Sequence, residues 1–138
     1  MRAWLTAEKT YEGFPLFLRR PTELDVELLR PSFPTLAVVT HRFTKREPNG
    51  LPQGDYNDGL VQMDSELVAA FDADRMGVPT LVETFGGKRH YYFYVAPDAN
   101  VAATISAVAR RYPAEQLSWE IRSDPNWGFF ERYTREYF

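Results

Sequence analysis

Apolar and polar residues alternate with two different periods along the chain, and the period predicts which segments are strands and which are helices. Strands are predicted where β-branched and aromatic residues cluster or alternate with polar ones, at residues 4–11, 14–19, 36–43, 80–85, 88–96 and 117–122. Helices are predicted where apolar residues recur every three or four positions, after Asp55, Pro97-Asp98 and Asp124-Pro125, with a brief helical turn at 23–29. In the last strand Leu117, Trp119 and Ile121 alternate with polar residues, which predicts one buried and one polar face.

Two consecutive glycines, Gly86 and Gly87, predict a tight hairpin, because a primed two-residue turn needs two residues that accept a positive φ. Such a turn fixes the register of the two strands. The predicted cross-strand pairs are Phe85 with Lys88, Glu83 with His90, Val82 with Tyr91 and Leu81 with Tyr92. Residues paired in this way point to the same side of a sheet. The side predicted to face the helices carries Val82, Tyr91, Phe93 and Val95.

The order of elements between residues 36 and 122 predicts the fold class. It is strand–helix–strand–strand–helix–strand, the βαββαβ order of the ferredoxin-like sandwich, an α+β fold with an antiparallel sheet and both helices on one face. We expect one domain over residues 1–138, with an N-terminal hairpin extension at 1–34, the ferredoxin-like core at 35–123 and an added C-terminal helix at 124–138.

The opposite side of the predicted sheet carries a second set of aromatic residues and is the candidate binding surface. Its members are Leu81, Glu83, Phe85, His90, Tyr92 and Tyr94, joined by Glu120 and Arg122 from the last strand. This surface is too aromatic to be merely solvated, so either another segment covers it or a partner binds it. The covering segment would be the N-terminal hairpin or the C-terminal helix. Burial of Tyr92 and Tyr94 within the monomer would exclude an open binding platform.

Composition and charge narrow the function classes. The chain has 138 residues, of which 44% are hydrophobic and 25% are charged, as in an ordinary globular domain. It has no cysteine, which excludes a disulfide, a thiol nucleophile and a zinc–thiolate site. The net charge of -3 gives no general attraction to nucleic acid or anionic lipid. No apolar run approaches the ~18 residues of a membrane span or forms a signal peptide, so we expect a cytoplasmic protein without a membrane partner.

An aromatic central strand in this order of elements is also typical of RNA-recognition domains. Their strand motif needs small residues beside the aromatic residues that stack on bases. Here His90 and Tyr92 occupy the positions that should be small, and the chain is acidic. Nucleic acid is therefore not an expected partner.

Motifs for catalysis or cofactor binding are missing from the sequence. There is no Gly-x-Ser-x-Gly elbow, and Gly86-Gly87-Lys88 is a hairpin turn and not a phosphate-binding loop. The acidic stretch that begins at Asp55 fails as a calcium loop, because its sixth position is Leu60 where glycine is required. We therefore assign no catalytic residue, no metal site and no cofactor. His41 and His90 beside carboxylates keep an alternative open, which is small-ligand binding or a hydrolase-type reaction.

Two segments resemble a known bacterial family. Residues 87–95 (GKRHYYFYV) resemble the Gly-x-Arg-x-aromatic-Tyr-aromatic-Tyr-Val strand of the domain of unknown function 695. Asp124-Pro125-Asn126-Trp127, followed by Phe129-Phe130, resembles its Asp-Pro-x-Trp-x-aromatic-aromatic segment. That family is similar in turn to the regulator of ribonuclease E activity B, a ferredoxin-like inhibitor that works by protein–protein contact without known catalysis. The resemblance implies the same fold and, by analogy, a non-catalytic function.

We expect a small regulatory or adaptor module that binds another protein, or a second copy of itself in a homodimer. The expected contact is the aromatic sheet face or an exposed strand edge. For the motif of Asp124, Pro125 and Trp127 we expect a structural role, as a capped helix start whose large ring is anchored on the sheet.

Overall fold

In a computed structural model that describes residues 2–138, the chain forms a six-stranded antiparallel sheet with helices on both faces, an α+β architecture. The strands are β1 (Trp4–Tyr11), β2 (Phe14–Pro21), β3 (Thr35–Arg42), β4 (Gly77–Phe85), β5 (Lys88–Val95) and β6 (Gln116–Ser123). The helices are α1 (Val26–Leu29), α2 (Gly54–Asp58), α3 (Val61–Val68), α4 (Val101–Arg111) and α5 (Gly128–Tyr137). The strand order is β1-β2-β4-β5-β3-β6, so the N-terminal hairpin widens the sheet beyond β4.

The turn between β4 and β5 sets the register of the central sheet. Gly86 and Gly87 have φ of 64° and 85°, as a primed turn requires, and all four predicted cross-strand pairs are present. β4 begins at Gly77, before the predicted start at residue 80. A register shift between Pro79 and Leu81 lets the strand include a proline, which has no N–H for the ladder.

The loop after β3 is docked on this turn by main-chain contacts. The Gly87 N–H donates to the Gly50 carbonyl (2.8 Å), and Arg46 and Pro52 form an isolated bridge beside it. Gly50 has a φ of 89°, and a Cβ atom there would lie 3.0 Å from the main chain of Gly86. Only glycine fits so close an approach of two backbones.

One face of the sheet packs against α3 and α4, as the alternation of apolar residues predicted. The sheet contributes Val82, Tyr91, Phe93 and Val95 to this core. The helices contribute Met63, Leu67, Val101, Ile105 and Val108, all of them buried. Removal of this apolar surface from water is the main term that holds the helices on the sheet.

The single helix predicted after Asp55 is two helices. α2 follows the N-cap Gln53, so Asp55 lies in its first turn and is not the cap, and α3 follows Leu60. The break comes at Gly59, a residue type that destabilises helix interiors. It brings the Leu60 side chain into the core beneath α3.

The second face of the sheet is covered by α1 and α5. Leu81, Tyr92 and Tyr94 form a core there with Trp127 and Phe130, and all five are buried. The Trp127 ring stacks on Tyr94 with a centroid distance of 4.2 Å. The sheet is therefore enclosed on both faces in its central part.

α5 begins at Gly128, later than the expected start at Asp124-Pro125. The Asp124 carboxylate nevertheless caps it, because Oδ1 accepts from the Gly128 N–H and Oδ2 from the Phe129 N–H, each at 3.0 Å. Trp127 precedes the helix with a φ of 56° in the left-handed region. Its indole Nε1–H donates to the Phe33 carbonyl at 2.8 Å.

Replacement of Trp127 by alanine should lower the free energy of unfolding by about 3–5 kcal/mol, because the change leaves a cavity and an unbonded Phe33 carbonyl. Urea denaturation followed by circular dichroism measures this loss. The control is Leu28→Ala on α1, where the side chain is 71% exposed and the expected loss is below about 1 kcal/mol. Equal losses in the two variants would show that the ring of Trp127 does not anchor α5.

Candidate functional site

The aromatic sheet face is closed by the chain itself. The Phe129 ring stacks on Tyr92 at 4.7 Å, and Trp127 stacks on Tyr94, so both tyrosines are buried under α5. The hypothesis of an open platform is therefore wrong for Leu81, Tyr92 and Tyr94. Of the two covering segments that the sequence left open, the C-terminal helix is the one that lies over these residues.

Glu83 and His90 form the predicted cross-strand pair beside this closed face. The distance between His90 Nδ1 and Glu83 Oε1 is 2.8 Å, and the Tyr133 hydroxyl of α5 donates to Glu83 Oε2. Burial raises the pKa of Glu83, but the hydrogen bonds from His90 and Tyr133 outweigh it, so the pKa is lowered. Phe85, farther along β4, packs edge-on against Tyr11 of β1. These contacts join α5 and the N-terminal hairpin to the sheet.

A second histidine–glutamate–tyrosine group lies on the other face. His41 is fully buried, and its Nε2 lies 2.8 Å from Glu115 Oε1, which also accepts from the Tyr56 hydroxyl. The Nδ1 atom of His41 has no hydrogen-bond partner among the described residues. Burial lowers the pKa of His41 and outweighs the hydrogen bond with Glu115, which raises it. The sequence marked His41 but gave no signal for Glu115, which is 74 positions away.

The two histidine groups share one arrangement. In each, the glutamate accepts a hydrogen bond from a tyrosine hydroxyl and pairs with the histidine. No serine or threonine hydroxyl bonds to either histidine ring among the described residues.

An ion-pair cluster ties α3 to the hairpin. Both guanidinium Nη atoms of Arg19 donate to Asp64, at 2.7 and 3.0 Å, and the Tyr91 hydroxyl donates to Asp64 Oδ1 at 2.6 Å. Burial raises the pKa of Asp64, but the hydrogen bonds from Arg19 and Tyr91 lower it by more, so the pKa of Asp64 is lowered overall. No sequence motif signals this cluster, because its members come from three separate elements.

Glu120 and Arg122, the last two members of the candidate surface, lie away from the others on β6. They are exposed and pair with each other along the strand. β6 is an edge of the sheet, and the expected buried face is missing from it: Trp119 is 37% exposed and Ile121 is 54% exposed. Trp119 is in register with Val39 of β3 and Ile121 with Ala37, so both side chains lie on the α4 side of the sheet, and both are exposed there.

Comparison with known proteins identifies a family and no function. Residues 2–133 match the model of a family of unknown function, DUF695, so the chain belongs to that family, as the resemblance of its motifs predicted. No curated protein and no solved structure matches the chain. The similarity to the regulator of ribonuclease E activity B therefore stays a prediction.

Within residues 2–138, no helix is both long enough and apolar enough to cross a bilayer. In the same range, no three side chains of the histidine, aspartate or glutamate types converge as metal ligands.

The lowered pKa of His41 predicts a loss of stability in mild acid. The folded chain keeps His41 neutral below the ordinary pKa of 6.5, where the unfolded chain binds a proton, so stability falls as the pH falls through that value. The slope approaches about 1.4 kcal/mol per pH unit at most. Urea denaturation at intervals between pH 7.5 and 5.5 measures it.

The variant His41→Gln should flatten this slope, whatever its stability at pH 7.5. His90→Gln is the matched control, since it removes the other histidine and leaves His41 in place. A slope that persists in His41→Gln would contradict the assignment to this buried ring.

Proposed function

We propose that this member of the family of unknown function DUF695 is a non-catalytic protein-binding module whose binding element is the free edge of β6. One observation carries the proposal: Trp119 and Ile121 are exposed side by side on a strand that has a sheet neighbour on one side only. Strand edges with apolar side chains pair readily with strands of other chains, and this pairing is a common mode of protein recognition.

The backbone of β6 offers hydrogen-bonding groups along this edge. At the end of the β6–β3 ladder, the Asp124 N–H donates to the Pro34 carbonyl (2.9 Å). In an antiparallel pair, residues that bond to the neighbour alternate with residues whose N–H and C=O point away from it. Glu120 is in phase with Asp124 and bonds to β3, so Trp119 and Ile121 direct their N–H and C=O groups outward.

β6 also lacks two of the features by which edge strands avoid association, a proline and a lysine. It keeps one register with β3 from Gln116 to Ser123. The other edge of the sheet, β1, has a lysine, Lys9, beside Glu8 in its centre, and lysine on an edge strand opposes the approach of another strand. β6 also carries two charges, Glu120 and Arg122, but its apolar Trp119 and Ile121 alternate with them and are exposed.

The partner that β6 fits best is β6 of a second copy. In an antiparallel pair with a two-fold axis at Ile121, the two Ile121 side chains lie opposite each other. Glu120 of each copy then lies opposite Arg122 of the other, because the three residues are consecutive in the strand. Cross-strand pairs of opposite charge or of apolar residues contribute about 0.2–1 kcal/mol each. The contact is self-complementary, as a two-fold dimer requires.

The strand order supports the division of the chain into a ferredoxin-like core and two additions. Within residues 35–123 the strand order is β6-β3-β5-β4, and α3 and α4 pack on one face. This arrangement supports a ferredoxin-like core, to which the N-terminal hairpin and the C-terminal helix are additions. Such cores serve many functions, so the binding proposal depends on β6 and not on the fold.

The proposed dimer is tested by sedimentation equilibrium. The wild-type protein should associate at concentrations of about 100 µM or below. Ile121→Lys should give a monomer, because two lysines would meet on the two-fold axis, and the exposed position leaves the fold intact. The matched control is Leu28→Lys on α1, where the side chain is 71% exposed and belongs to no strand of the sheet.

Charge reversal gives a second arm. Glu120→Arg and Arg122→Glu should each weaken the dimer, because like charges would then lie opposite each other. The double variant with both changes restores opposite charges in the pair and should restore association. A wild-type protein that stays monomeric would contradict the proposed dimer. A dimer that persists in Ile121→Lys would contradict the assignment of its interface to β6.

A further inference from the structure

A cleft of about 620 Å³ lies between the N-terminal hairpin and α3, on the side of the sheet remote from β6. Its apolar lining includes Phe17, Leu51, Leu60, Val61 and Val82. Arg19, Asp64 and Arg89 provide charged groups in the same lining. Small-molecule sites have this size and this combination of apolar walls with a few polar groups. We propose that this cleft binds a small monocarboxylate with an apolar body, and that Arg89 holds the carboxylate.

Within the cleft, the negative charge of Asp64 is paired with the guanidinium of Arg19. Arg19 donates two hydrogen bonds to its carboxylate, and Tyr91 donates a third. A bidentate arginine–carboxylate pair of this kind neutralises both charges. Arg89, whose Nη1 lies 3.8 Å from Asp64 Oδ1, shares that carboxylate with Arg19, so two guanidinium groups face one carboxylate and one positive charge is left over.

The hydrogen bonds of Arg89 go to groups that carry no charge. Its Nε donates to Thr84 Oγ1 (2.8 Å), its Nη2 donates to Asn57 Oδ1 (3.3 Å), and the guanidinium lies 5.3 Å from the centre of the Phe43 ring. The Nη1 atom lies 3.8 Å from Asp64 Oδ1, beyond hydrogen-bond distance. Only 12% of the side chain is exposed. The cleft thus contains a nearly buried cation that is fixed in orientation and has N–H groups to spare.

The surrounding charges favour a ligand with one negative charge. Asp64 lies near Arg89, and Glu8 of β1 is exposed on the hairpin side of the cleft. Both would repel a dianion such as a phosphate monoester more strongly than a carboxylate. The apolar walls, by contrast, favour an aliphatic or aromatic body next to the acid group.

The inference is independent of the proposed dimer. β1 and β2 form one end of the sheet order and β6 forms the other, so variants of one region leave the residues of the other unchanged. An alternative role for Arg89, to fasten α2 and α3 to the sheet, predicts no preference for an anion.

The experiment compares two probes of equal length, hexanoate and 1-hexanol, by chemical-shift changes in the amide NMR spectrum of the full chain. We expect hexanoate to bind about tenfold more tightly than 1-hexanol, as a charge-assisted hydrogen bond provides. The largest shifts should fall on the amides of cleft residues such as Val61, Thr84 and Arg89. Equal affinities for the two probes, or shifts that map outside the cleft, would overturn the proposal.

Variants assign the effect to the cleft. Arg89→Gln should remove the preference for hexanoate and leave 1-hexanol binding unchanged. If this variant fails to fold, Val61→Trp decides the matter: Val61 is 65% exposed at the cleft, and a larger ring there should weaken both probes severalfold without loss of the fold. Leu28→Trp, at an exposed position outside the cleft, is the matched control. Wild-type affinity for hexanoate in Val61→Trp would overturn the assignment.

Discussion

The contact between Tyr94 and the start of α5 is the constraint on which the two-sided structure of this protein depends. The Tyr94 hydroxyl donates to Asp124 Oδ2 (2.6 Å), and the same carboxylate caps α5. The Trp127 ring, directly before α5, stacks on the Tyr94 ring. Tyr94 lies on the buried strand β5, whose alternate residues face the other core. The position of α5 is therefore tied to the register of the central hairpin. The Asp-Pro-x-Trp segment is explained by this geometry without any catalytic role.

The sequence predicts the local parts of this structure well. The pair Gly86-Gly87 determines the hairpin register, because few residues accept two consecutive positive φ angles. The period of apolar residues then assigns each side chain to a face of the sheet. What covers a face is a different question, since covering elements come from distant parts of the chain. The sequence therefore left two answers open for Tyr92, and only the fold shows that α5 supplies the cover.

The candidate sites were less predictable than the fold for the same reason. His41 and Glu115 are in contact although they are 74 positions apart in the sequence. Asp64 is bonded to residues of β2 and β5. The exposure of Trp119 has another cause. Alternation along β6 states which side of the sheet the ring lies on, but not how far the helix layer extends over that side. Leu117 is partly buried against the core, whereas Trp119 and Ile121, farther along β6, are exposed.

The backbone contact between Gly50 and Gly87 links two regions that the chain could otherwise vary independently. Leu51, which lines the cleft, follows Gly50 directly, and Gly50 is bonded to the hairpin turn. An insertion in this turn, or a bulkier residue at position 50, would displace the segment with Leu51 and change the shape of the cleft. Surface loops commonly tolerate changes of length. Here the two loops are hydrogen-bonded to each other. The lengths of the two loops should therefore vary together among relatives that keep the cleft.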